Sequence, residues 1–255
     1  MNDLMNYPRL VFVVSFLTLW LSTLIGASFL RRRRELQPDA REDFGIILAT
    51  TLTLIGLIIG FTFSMAISRY EQRKNYEAAE ANAIGTEYLR ADLLPAAEAA
   101  KARSLLRLYL DERVAFYTAD DEIQTRQINA RTAQLQTELW AAVRGVATTQ
   151  PTVVGTLTIA GMNDVLNSQA YTQAAWLNRI PASAWLLMAA IAVIAHLLFG
   201  YGVQNAKAER TLLTVLPLVV SISFLLIADI DSPRSGIIRV SPQNLVSLVE
   251  SVRAH

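Results

Sequence analysis

The sequence predicts an all-α membrane protein with four transmembrane helices and a helical extramembrane domain between the second and third. Three observations carry that prediction. Hydrophobic residues make up 53% of the 255 and charged residues only 18%, too apolar a balance for an ordinary soluble domain of this length. The apolar residues cluster in four uncharged runs, Leu10 to Leu30, Phe44 to Ser68, Ile180 to Val203 and Leu212 to Ala228. Between the second and third runs lies a stretch rich in Ala, Glu, Gln, Arg and Leu without β-branched alternation, which is helical composition.

The runs justify the spans one by one. A helix of about 25 residues rising 1.5 Å each is about 38 Å long, enough to cross a hydrocarbon core of about 30 Å with some tilt. The first three runs span outright; the fourth sits at the short limit and extends through Asp229 to Ile230. The expected spans are therefore 10–30, 44–68, 180–203 and 212–230. A signal peptide is the competing reading of the first run. It is rejected because only Arg9 precedes the run, no small-residue cleavage pattern follows, and Arg31 to Arg34 come next. Trp176, Trp185 and Tyr201 near the ends of the third span are expected to anchor at the membrane interface.

Residues 69–179 form the extramembrane domain, and its helices have readable limits. The first continues from the membrane through Tyr76, Ala83 and Tyr88 to about Leu94, where Pro95 ends it. The second runs from Ala96 to about Tyr117 and stops at Asp120, Asp121 and Glu122, carboxylates suited to the start of a third helix. In that third helix Ile128, Leu135, Leu139 and Val143 share a face. Gly145 to Pro151 is expected to break the pattern. A fourth helix carrying Val153, Leu157, Met162, Leu166 and Trp176 leads back to the bilayer. Helix packing explains each apolar stripe. Residues 231–255 are read as a C-terminal tail.

Orientation follows from the flanking cations. Arg31 to Arg34 and Arg41 in one short loop, with Lys207 and Arg210 in the other, place both short loops in the cytoplasm by the positive-inside rule. Arg69, Arg73, Lys74, Arg179, Arg234 and Arg239 flank the opposite side almost as heavily, so the rule leans without deciding.

Several chemistries are excluded. No cysteine is present, which removes disulfides and thiolate metal sites. A net charge of +1 gives no argument for nucleic acid. There is no Gly-rich phosphate loop, no paired-His helix motif and no nucleophile elbow, so no enzyme, cofactor or metal site is expected. His196, mid-helix in the third span, has two readings: a functional polar ring inside the membrane, or a neutral imidazole hydrogen-bonded to a neighbouring helix. Asp229 and Asp231 likewise read either as a cation site or as a turn paired with Arg234, the second being favoured.

The most informative pattern lies on the second span. Thr50, Thr53, Leu57, Phe61, Ser64 and Ser68 step by three or four residues, a polar stripe with two bulky interruptions on one helical face, suited to lining water. Beside it, Gly56-x-x-x-Gly60 with Ser64 is a small-residue ladder that allows close approach of another helix.

Two blocks carry a family resemblance. Gly60-Phe61 with Ser68-Arg69-Tyr70, then Glu80 to Asp92, is one; Asp229 to Gly236 with Ile238-Arg239-Val240 is the other. With the four-span layout they make the chain resemble the bacterial bestrophin-like family, distantly similar to the bestrophin anion channels. That resemblance implies a homopentameric, anion-selective channel of a bacterial inner membrane, whose partners are its own copies, the lipid bilayer and small anions. Five copies of the second helix would surround the axis with Thr53, Leu57 and Phe61 as the neck. Thr53 departs from the usual bulky apolar residue, implying a shorter or wetter constriction, and the acidic calcium clasp of bestrophins is not evident at Asp229 and Asp231. In such a pore, inward ring edges of Phe61 favour an anion and apolar walls close the path by dewetting. Thr50, Ser64 and Ser68 offer hydroxyls, while Arg69 and Arg73 concentrate anions at a vestibule. Bestrophins also keep their termini and extramembrane helices in the cytoplasm, the reverse of what Arg31 to Arg34 argue. The alternative function is a membrane sensor or scaffold that binds a ligand or partner through the helical domain.

Overall fold

Every regular element among the described residues of the computed structural model, which are 7–30, 40–119, 121–149, 153–203 and 211–254, is helical. In chain order these are α1 Pro8–Ile25, followed by a π-helical stretch Gly26–Leu30; α2 Arg41–Arg90, closed by a 3₁₀ turn Ala91–Leu93; α3 Ala96–Thr118; α4 Glu122–Thr149; α5 Val153–Leu177; α6 Ala182–Gly202; α7 Leu212–Asp231; and α8 Gln243–Ala254. Among the described residues four helices are long and apolar enough to cross a membrane, in the four places the hydrophobic runs predict. The cations of the two short loops, Arg31 to Arg34, Lys207 and Arg210, lie outside the described residues, as do Asp120, Pro151 and His255.

The chain divides into two compact units, one of Met1–Tyr70 with Arg179–Arg239, the other of Glu71–Asn178 with Val240–His255. The residues read as a C-terminal tail are thus split between them. In the first unit α1 packs against both α6 and α7. Its core gathers Leu19, Ile55, Trp185, Met188, Phe224 and Ile227. Two glycines allow a close helix approach: a Cβ at Gly200 would overlap the carbonyl oxygen of Thr23, and one at Gly26 that of Leu197. With no side chain in the way, the two backbones touch, which is how small residues hold membrane helices together. Nearby hydroxyls are hidden by donating to their own helix, Ser22 to Thr18 O at 2.7 Å and Thr23 to Leu19 O at 3.0 Å. α7 continues through Pro217.

In the second unit the expected face of α4 is the core: Ile128, Leu135, Leu139 and Val143 are all buried. α4 runs through Gly145 to Thr149 and α5 starts at Val153, so the boundary between them falls at the end of the stretch Gly145 to Pro151, whose residues 150–151 lie outside the described residues; one glycine in a helix costs only about 1 kcal/mol relative to alanine. On α5 the buried residues include Met162, Val165, Thr172 and Trp176, whereas Val153 and Leu157 are exposed, so the first turns of that stripe are not core. Two of the three expected interfacial anchors are also corrected. Trp176 is buried against Phe116 and Tyr117, with ring centroids 4.8 and 5.4 Å away, and Trp185 is buried edge-on to Phe224 at 6.1 Å. Tyr201 is half-buried beside Phe44.

Charged groups tie the second unit together. Arg113 Nε donates to Glu80 Oε1 at 2.5 Å with both side chains fully buried, Thr172 donates to Glu80 Oε2 at 3.1 Å, and the guanidinium lies 4.5 Å over the Phe116 ring. Glu77 receives the start of α8, accepting from Leu245 N at 3.0 Å and Asn244 Nδ2 at 2.6 Å. A carboxylate there meets the unpaired N–H groups and positive end of the helix.

Candidate functional site: the open face of the second helix

The long helix α2 is apolar through its first half because that half is a membrane span, yet it is little covered by its own chain. Only 6% of its apolar window is buried, against 50% for that of α7. All six residues of the expected stripe, Thr50, Thr53, Leu57, Phe61, Ser64 and Ser68, are exposed. Leu57 keeps 53% of its surface and Phe61 65%. Ile55 and Ala66, about half a turn away from Leu57, are buried in the core instead. The helix therefore has a packed face and an open face, and the open face is the one the spacing singled out.

The hydroxyls on that face are less available as donors than their chemistry suggests. Thr50 Oγ1 donates to Ile46 O at 2.8 Å and Thr53 Oγ1 to Ala49 O at 2.9 Å. A hydroxyl has one proton, so in this arrangement these threonines present lone pairs outward. The glycine ladder is open too: no atom lies within 4 Å of a Cβ placed at Gly56 or Gly60. Any helix that approaches there does not come from the described residues of the same chain.

The expected vestibule cations have other employment. Arg69 is an ion-pair partner of Asp231 at 3.7 Å and is largely buried, and Arg73 is buried in the second unit. Asp231 also pairs with Arg179 Nε at 3.4 Å and accepts from Ile180 N at 3.1 Å. Asp229 accepts from Ile237 N at 2.7 Å and Ile238 N at 2.9 Å. Both carboxylates are thus occupied by protein donors, with Arg69 and Arg179 among the cations that Asp231 meets. Among the described residues no group of three or more His, Asp or Glu is placed to hold a metal. His196 is buried; its Nδ1 lies 2.7 Å from Ala192 O of its own helix, and the ring also meets the backbone of Leu216 on the neighbouring α7.

Two features escaped the sequence reading. Gly236 lets the loop after α7 fold back until a Cβ there would overlap Asp229 O; with the two aspartates this accounts physically for the block Asp229 to Gly236. The other is Glu87, buried on α2 with neither carboxylate oxygen hydrogen-bonded. It faces Gly161 of α5, where a Cβ would overlap Glu87 Oε2 and Arg90 Nη1. Burial chiefly pushes the Glu87 carboxyl up to about 8, Arg90 opposing the rise and Asp164 adding to it. A glycine inside an apolar stripe was the only signal in the sequence.

Comparison with known proteins agrees with this architecture. The bestrophin-like domain matches residues 11–245. Among solved structures, a single-substitution variant of a bacterial bestrophin homolog from Klebsiella pneumoniae superposes with a TM-score of 0.63 at 14% identity, covering 95% of this chain and 96% of that one. A second variant of the Klebsiella homolog gives 0.64 at 12% identity, covering 96% and 97%. A structure described as a membrane protein gives 0.62 at 12% identity, covering 93% and 98%. At such identities the likeness is one of fold. No curated protein matches the sequence.

Proposed function

The chain belongs to the bestrophin-like family, and from that membership we propose that it is a passive anion channel of a bacterial inner membrane and not an enzyme. It acts as a homopentamer in which five copies of α2 surround the axis, Leu57 and Phe61 form an apolar neck, and Thr53 sits one turn before Leu57. The observation that supports this reading is the open face of α2: six stripe residues, all exposed, on a span that its own chain barely covers. Apolar exposure alone suits lipid. A row of hydroxyls on the same face suits water.

In this reading anions pass without fixed positive charge at the constriction. Ring edges of Phe61 carry partial positive charge and favour a weakly hydrated anion over a cation. Thr50, Thr53, Ser64 and Ser68 contact the partly dehydrated ion on either side, the threonines donating only once they release Ile46 O and Ala49 O. Arg69 contributes to the vestibule from within its pair with Asp231, and so serves to position the end of the span as well as to add field.

The test is flux. Purified protein in liposomes is assayed for chloride and potassium movement, comparing wild type with the Leu57→Ala, Phe61→Ala double variant. A wider neck raises chloride flux several-fold. Unchanged flux in a double variant that assembles correctly refutes the neck, and silence in both proteins with intact oligomers shifts weight to a sensor or scaffold.

A further inference from the structure

Within the second unit a cleft of about 840 Å³ opens between α2, α3 and α8. We propose that it binds a phosphomonoester, a small organic molecule carrying a terminal phosphate. The argument starts from two cations. Arg103 and Arg107 are four residues apart on α3, hence one above the other on the same face. Both guanidinium groups lie over the Tyr88 ring, at 5.2 and 5.5 Å. Arg107 Nη2 also donates to Tyr88 Oη at 2.5 Å and to Val252 O at 3.3 Å. The pair is therefore held in place before any ligand arrives, which lowers the ordering cost of binding.

Donor supply exceeds protein demand in the cleft. A guanidinium has five N–H donors, and Arg103 Nε is shielded from solvent without a partner. Asp92 pairs with Arg103, but its side chain is 59% exposed, so this is a weak, screened contact. Two arginines against one aspartate leave the cleft cationic. Opposite the cations, Ser247 and Ser251 stand four residues apart on α8, and Ser104 lies between the arginines on α3. A carboxylate has two oxygens to offer; a phosphate has three terminal ones and accepts from both guanidinium groups and a hydroxyl together. The volume exceeds what inorganic phosphate needs, leaving room for a polar organic remainder.

Isothermal titration of the full-length protein in detergent with glucose 6-phosphate, inorganic phosphate and gluconate tests this. Saturable binding of glucose 6-phosphate that is at least tenfold tighter than gluconate, and weakened at least tenfold by Arg103→Gln with Arg107→Gln, supports it. Because Arg107 also ties down α8, Ser247→Trp provides a second test: it fills the cleft from an exposed position, keeps both arginines, and is expected to abolish binding. Three results overturn the proposal: no saturable heat with either phosphate, equal binding of gluconate, or binding that survives Ser247→Trp. The assay needs no ion flux, so its outcome is independent of the channel reading.

Discussion

Replacing Glu87 by glutamine isolates the effect of one buried proton. Glu87 lies on α2 well beyond the apolar run that ends at Ser68, only 1% exposed, with neither oxygen hydrogen-bonded. Its carboxyl ionises near 8 in the folded chain instead of near 4.5. The folded state thus holds a proton that the unfolded state has already released. The stability linked to Glu87 is complete below 4.5, declines as pH rises, and is fully lost once pH passes about 8. Across that window the slope approaches about 1.4 kcal/mol per pH unit. One kcal/mol moves the midpoint of a chain of this size by about 2–4 °C, so Tm falls by roughly 3–5 °C per pH unit on account of this residue. Thermal unfolding of the detergent-purified chain between pH 5 and 8 reads it directly. Glu87→Gln preserves the shape beside Gly161 and has no proton to lose, so its Tm declines less steeply than wild type. Parallel lines for the two proteins would mean that Glu87 reaches water or an unrecognised cation, and would refute the argument.

Two further outcomes follow from packing. Gly200→Ala forces a Cβ into the backbone carbonyl of Thr23; neither helix yields locally, so a loss of about 1–3 kcal/mol or more is expected, seen as a lower Tm and poor recovery of folded protein. Arg113→Met strands the fully buried Glu80 carboxylate with Thr172 as its remaining hydrogen-bond donor, costing about 3–5 kcal/mol. Adding Glu80→Leu removes the stranded charge and recovers part of that loss, and a double variant no more stable than Arg113→Met would contradict the pairing.

The helical skeleton was legible because its signals are local. Pro95 ends the α2 segment and starts α3, the Asp121-Glu122 step opens α4, and Ile128, Leu135, Leu139 and Val143 keep helical spacing that tertiary packing then uses. The boundary expected within Gly145 to Pro151 falls late in that stretch, after Thr149, because a glycine weakens a helix without stopping it when the flanking residues favour it. Trp176 and Trp185 misled. Aromatic residues near span ends suit the membrane interface, but burying such a large ring against Phe116 or Phe224 stabilises a core equally well, and only three-dimensional neighbours distinguish the two.

Glycines show the limit most clearly, and bear on the open face of α2. Gly56 and Gly60 carry the familiar four-residue spacing, yet nothing in the described chain approaches them; Gly26 and Gly200 carry no such motif and seat a backbone-to-backbone contact between α1 and α6. Spacing along one helix says that a close approach is possible, but the partner's shape decides where it happens. The same reasoning gives the uncovered ladder its meaning. Among the described residues the first unit obtains its core from α1, α6, α7 and one face of α2, and leaves the stripe and the adjoining glycines exposed. A face with helical register, hydroxyls and room for backbone contact that the described chain leaves exposed is open to neighbours from outside the chain, whether lipid or, as proposed above, further copies. This is why the proposal of a pore at α2 rests on what the described chain leaves uncovered more than on what it packs.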